Sequence, residues 1–115
     1  MSWVDLLASS ELAEGQRTVV TAEGRALAVV RVGGIAWAID NVCPHRNGEL
    51  GRGDLQGHHL YCPLHAWCFD VRDGTAFFPQ GARVESFETK EENGRIYARR
   101  KVVTSTPVPG DRRTP

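Results

Sequence analysis

The chain has 115 residues, 41% of them hydrophobic and 24% charged, with a formal net charge of zero. That length holds one domain with a modest core, and no apolar run approaches the ~20 residues that a membrane-spanning helix requires. Residues 1–98 carry nine Lys/Arg against thirteen Asp/Glu. This mildly acidic body argues against nucleic acid as a partner and suits docking to a basic protein surface.

From the N-terminus, Met1-Ser2-Trp3-Val4-Asp5 lacks the basic start and apolar stretch of a secretory signal, so a cytoplasmic location is expected. Ser9-Ser10-Glu11-Leu12-Ala13-Glu14-Gly15 fits one short helical turn. The signals then become β. Arg25 to Val32 is rich in Val, Leu and Ala, and Ile35 to Ile39 alternates large and small residues. The Gly33-Gly34 pair between them predicts a tight hairpin. Arg83–Thr89 and Arg95–Arg99 flank an Asn93-Gly94 turn and predict a second hairpin. There the Val84/Phe87 spacing breaks alternation, as a bulge would. The reading is of an all-β chain.

Residues 41–82, between the hairpins, read as irregular and rich in Gly, Pro, Asp and His. A structureless stretch of that length needs something bound to order it. After Val103 the chain is polar and proline-punctuated, so residues 1–103 are expected to form the domain and residues 104–115 a flexible tail. Nothing in the sequence calls for more than a monomer.

Three cysteines, an odd number, argue against a disulfide framework. Two of them sit beside histidines. Cys43-Pro44-His45 is a Cys-x-His pair, and sixteen residues after His45 comes Cys62-Pro63-Leu64-His65, a Cys-x-x-His pair. Each pair offers one sulfur and one nitrogen, and the prolines with Gly48, Gly51, Gly53 and Gly57 supply turning chemistry. Such a four-ligand set suits tetrahedral zinc as well as a mixed-ligand iron–sulfur cluster. Zinc fingers usually separate Cys from His between knuckles and precede a helix. Here each knuckle is mixed and the surroundings are β. Cys68 reads as a buried structural thiol at a position that enters a strand, and His58 and His59 read as solvated loop residues flanking the strand into Cys62.

At all four ligand positions the sequence resembles the Rieske iron–sulfur family, whose pattern is Cys-x-His, fifteen to seventeen residues, then Cys-x-x-His. The likeness continues through Ala66-Trp67-Cys68-Phe69-Asp70 and Asp73-Gly74, and Phe78-Pro79-Gln80-Gly81 resembles the family's proline loop. It extends from about residue 15 to residue 100. The resemblance implies an antiparallel β-sandwich with a two-loop cluster-binding subdomain. It also implies one [2Fe–2S] cluster held by Cys43, His45, Cys62 and His65, the cysteines on one iron and the histidines on the other.

High-potential members of this family carry an extra cysteine in each loop, joined by a disulfide, and Gly48 and Leu64 stand at those positions here. They also carry a serine and a tyrosine that hydrogen-bond the cluster sulfurs, where this chain has Trp67 and Phe69. With fewer such bonds, a potential at the low end of the Rieske range is expected. No length remains for the mononuclear iron domain of the family's oxygenases. The resemblance therefore implies a carrier rather than an enzyme: a ferredoxin that receives electrons from a flavin-dependent reductase and passes them to an oxygenase. The alternative is the small Rieske subunit of an NAD(P)H-dependent nitrite reductase.

Overall fold

The computed structural model describes residues 3–44, 48–64 and 67–101. Two sheets account for its strands. The larger contains β1 (Val4–Ala8), β2 (Arg17–Ala22), β3 (Arg25–Val32), β4 (Ile35–Asp40), β9 (Ser86–Glu92) and β10 (Arg95–Arg100), in the order β1-β10-β9-β4-β3-β2. The smaller contains β5 (Leu55–Gln56), β6 (His59–Tyr61), β7 (Cys68–Asp70) and β8 (Ala76–Phe78), in chain order. Every pairing is antiparallel. Among the described residues there is no α-helix, and no helix is long and apolar enough to cross a membrane.

The Gly33-Gly34 hairpin forms with Val32 opposite Ile35, and both glycines take positive φ, as the inward-twisting two-residue turn requires. Asn93-Gly94 closes the second hairpin in the same way. A third turn of this kind, Glu23-Gly24, joins β2 to β3. The predicted helical turn is a single 3-10 turn at Ser9–Glu11.

Two expectations are corrected. The second hairpin begins at Ser86 rather than Arg83, and its ladder with β10 runs without a bulge from Glu92 to Phe87. Val84 breaks the alternation because it lies before the strand, its N–H bonded to the Gly74 carbonyl. Residues 41–82 are not structureless, because the smaller sheet is built from them. The expected tail, 104–115, lies outside the described residues.

β3 is buried on both faces, which explains its unbroken apolar run. Ala28 and Val30 point to a core shared with Ile39, Leu50, Leu60, Phe69 and both ligand-loop cysteines. Leu27 and Val29 point the other way, into a core with Leu7, Leu12, Ala38, Phe87 and Ile96. The edge strands β1 and β2 approach each other, so the larger sheet curls around this second core. The first core therefore lies between the two sheets and carries the ligand loops at one end.

Arg31 locks the N-terminal turn to this frame. Its Nε donates to the Leu12 carbonyl at 2.7 Å, and Nη1 donates to the Gly34 carbonyl at 3.1 Å. Both Nη atoms engage the Glu91 carboxylate, at 3.0 and 2.9 Å. The Arg31 side chain is only 12% exposed, so its loss leaves partners poorly solvated. Arg31→Ala is expected to cost about 2 kcal/mol, measured as a lowered melting temperature at pH 7. The guanidinium holds the Glu91 carboxyl below its ordinary value of 4.5. The stabilisation is therefore complete above that value and is lost as pH falls through the lowered one. The gap between parent and Arg31→Ala melts should narrow in acid.

Candidate metal centre

The first ligand loop is a short hairpin that continues from β4. The Leu50 N–H donates to the Asn41 carbonyl at 2.7 Å, Val42 bridges to Glu49, and the Cys43 N–H donates to the Gly48 carbonyl at 2.9 Å. Cys43 thus ends a three-rung neck, with its side chain directed into the shared core. The second loop caps the β6–β7 hairpin. Tyr61 pairs with Cys68, and the Cys62 N–H donates to the Trp67 carbonyl at 2.8 Å. Each loop is therefore closed at its base by a backbone hydrogen bond that spans the segment carrying its histidine.

The two necks converge. Cys43 and Cys62 are both buried in one core cluster, and none of the three cysteines forms a disulfide. Gly48 shows how closely they meet, since a Cβ placed there would lie 2.6 Å from the Cys62 Sγ. That Cβ would also lie 3.3 Å from the Leu64 Cγ. Gly48 and Leu64 therefore face each other across the loops, as positions able to carry a bridging pair of cysteines should. His45 and His65 lie outside the described residues, along with Arg46, Asn47 and Ala66.

The donor chemistry fits an iron–sulfur cluster. Two buried cysteines, outside any disulfide and held on hydrogen-bonded necks, offer soft thiolate ligands. Cys68 is also buried, but it projects from β7 beside Tyr61, as a structural thiol should. Its sulfur and desolvation, with the hydrogen bond between the two side chains, push the Tyr61 hydroxyl above the ordinary tyrosine value. The spare histidines are half-buried rather than fully solvated. His58 meets the Trp37 ring edge-on at 5.8 Å, and His59, which begins β6, lies 4.9 Å from the Phe77 ring.

A third segment, Leu50 to Gly53, read in the sequence only for its turning glycines, packs against the loops. Leu50 is fully buried in the shared core and opens the 3-10 turn Leu50–Arg52. Gly51 packs so tightly that an added Cβ would sit 2.6 Å from Val19 Cγ2 and 3.0 Å from the Thr18 carbonyl. Gly53 presses its Cα against the Tyr61 carbonyl, and its own carbonyl accepts a hydrogen bond from Arg17 Nε. Of the four glycines read as turning residues, only Gly57 has positive φ. Gly48, Gly51 and Gly53 are required for close approach instead.

Fold and site together define a two-sheet β protein with paired, mixed cysteine and histidine loops. A family model for the Rieske [2Fe–2S] domain matches residues 2–88, and the chain belongs to that family. Its cofactor is accordingly a [2Fe–2S] cluster. The ferredoxin component of the naphthalene 1,2-dioxygenase system of Pseudomonas putida is 36% identical over 97 residues, which cover 84% of this chain and 93% of the relative. The corresponding Pseudomonas aeruginosa component is 37% identical over 95 residues, covering 82% and 91%. Among solved structures, the ferredoxin of carbazole 1,9a-dioxygenase from Nocardioides aromaticivorans IC177 superposes with a TM-score of 0.81 at 28% identity, over 88% of this chain and 100% of that one. A chain from a complex of reduced oxygenase and oxidised ferredoxin in carbazole 1,9a-dioxygenase superposes at 0.79 with 30% identity, over 88% and 97%.

Proposed function

We propose that this chain is the ferredoxin of an oxygenase system: a one-electron carrier whose cluster is held by Cys43, His45, Cys62 and His65. The observation that supports it best is the convergence of Cys43 and Cys62 in one buried cluster, with no room for a side chain at Gly48. The family's single [2Fe–2S] cluster, when bound, supplies reversible one-electron chemistry. The two naphthalene 1,2-dioxygenase ferredoxin components described above are matched over more than nine-tenths of their length, as expected if this chain does the same work. The nitrite reductase alternative draws no support from them. We take residues 1–103 as the cluster-binding domain and place the protein in the cytoplasm, where three cysteines outside any disulfide are at home.

The chain's own part is to bury the thiolates, exclude water and present a docking surface. Cys43 and Cys62 lie beneath the surface, while Val42 beside Cys43 and Leu64 beside Cys62 are exposed. These apolar side chains flank the ligand loops and would exclude water when a partner docks there. The electron donor would be a flavin-dependent reductase and the acceptor the terminal oxygenase, reached in turn.

The residues around the loops also set the potential. Phe69 is fully buried and Trp67 half-buried, with ring centroids 6.4 Å apart. Neither brings a hydroxyl to the cluster sulfurs, so the reduced state lacks two hydrogen bonds that would stabilise it. A midpoint potential on the order of −150 mV is expected. An anaerobic redox titration tests both points. It should show a single one-electron step near that potential, and a midpoint above zero or a two-electron step would contradict the reading.

A further inference from the structure

We infer that Asn41 is a positioning residue for the cluster: its side-chain carboxamide is the joint that holds the two ligand loops at their working separation. The inference rests on the ligand assignment proposed above. Asn41 is one of two buried polar residues among those described, and it is only 2% exposed. A buried carboxamide at the end of a β-strand has no role in apolar packing, and its burial costs free energy unless its polar atoms are used.

Every polar group of Asn41 points at the site's framework. Its backbone N–H donates to the Ala26 carbonyl of β3 at 3.1 Å. Its carbonyl accepts the Leu50 N–H at 2.7 Å, the first rung of the Cys43 neck. Its Oδ1 accepts the Gly51 N–H at 2.8 Å, a bond wholly within the interior. Its Nδ2 lies 3.4 Å from Glu49 Oε1, on the returning strand of the same neck.

The Gly51 bond matters most, because Gly51 belongs to the segment that touches both loops. Upstream, that segment continues through Leu50, Glu49 and Gly48, which abuts the Cys62 sulfur. Downstream, two residues on, Gly53 abuts the Tyr61 carbonyl and Pro63 Cδ, on either side of Cys62. Gly51 itself is held from behind by Val19 and the Thr18 carbonyl. The Asn41 carboxamide thus draws the 3-10 turn inward against β2, and the turn in turn fixes the Cys62 loop relative to the Cys43 neck. Asn41 makes the buried side-chain link between neck and turn, and the exposed Glu49 adds a surface one, its Oε1 lying 3.1 Å from Arg52 Nε.

The test compares the parent with Asn41→Ala and with the exchange Asn41→Asp/Glu49→Gln. The exchange conserves total charge and keeps an oxygen acceptor facing Gly51. Three measurements are made on each purified holoprotein: the g-values of the reduced form by EPR, the rate of iron loss to a chelator, and the thermal melt. A parent that lacks a rhombic Rieske signal overturns the function reading itself, before the variants are considered. With the parent signal present, Asn41→Ala should shift or broaden the g-values and speed iron loss roughly 10-fold. The exchange variant should return both toward the parent. A purely structural Asn41 would lower the melt of Asn41→Ala and leave its g-values and iron loss unchanged, and that result overturns the inference. Should Asn41→Ala fail to fold, the exchange variant decides. A parent-like spectrum supports the inference, and a displaced one overturns it.

Discussion

Gly53→Ala should severely destabilise the folded protein, although its backbone conformation would accept any residue. Gly53 has φ −85 and ψ −174, an extended geometry that costs alanine nothing. The obstacle is space, because a Cβ there would lie 1.6 Å from the Tyr61 carbonyl oxygen and 2.8 Å from its carbon. Both contacts are with backbone, so no side-chain rotation relieves them. The turn must move away from β6, breaking the Arg17 bond to the Gly53 carbonyl and lifting Leu50 from the core. Such a displacement is expected to cost more than about 4 kcal/mol, a large share of the roughly 5–15 kcal/mol that stabilises a domain. The melting temperature should fall on the order of 15 °C or more. Gly57→Ala is the matched control. Gly57 has φ +59 and nothing within 4 Å of an added Cβ, so only backbone strain of about 1 kcal/mol applies. Melts of the two variants that coincide would contradict this account of the turn.

Cys43→Ser should remove the cluster completely, whereas Cys68→Ser should keep it. Both cysteines are almost wholly buried, so burial alone does not separate them. What separates them is direction. Cys43 closes the first neck against Gly48 and shares its core cluster with Cys62, while Cys68 faces Tyr61 across the β6–β7 ladder. A serine hydroxyl stays protonated at neutral pH and is a hard donor, so at position 43 it offers iron no thiolate. At position 68 the same hydroxyl has the Tyr61 side chain as a hydrogen-bond partner, in place of the sulfur. The cost there should be about 1–2 kcal/mol in stability with an unchanged visible spectrum. Iron content and absorbance per chain, measured on the two variants side by side, check the pair. Colour retained in Cys43→Ser would contradict the assignment.

The sequence carried the parts of this structure whose causes are local. The Gly33-Gly34 and Asn93-Gly94 hairpins were readable because turn chemistry and strand alternation lie within a few residues of each other. The strands β5 and β8 were not, because each is only two or three residues long, too short for periodicity to register, while β6 and β7 were expected only from their place beside the second cysteine–histidine pair. They exist because Leu60 and Phe69 are buried against the larger sheet. β1 was invisible for another reason: its partners are Arg95 to Ala98, at the far end of the chain. At the site, the two cysteine–histidine pairs announced themselves by spacing. Asn41 did not, and Gly51 and Gly53 were marked only as turning residues, since their packing is against Thr18, Val19 and Tyr61, contacts that no local pattern encodes.

The central claim, a mixed-ligand [2Fe–2S] cluster clamped by these two loops, is tested most directly by low-temperature EPR of the purified protein before and after dithionite reduction. The protein should be red-brown and silent as isolated. On reduction it should give one rhombic signal per chain, with the low average g-value of histidine-ligated iron. A colourless protein that contains zinc and stays silent after reduction would contradict it.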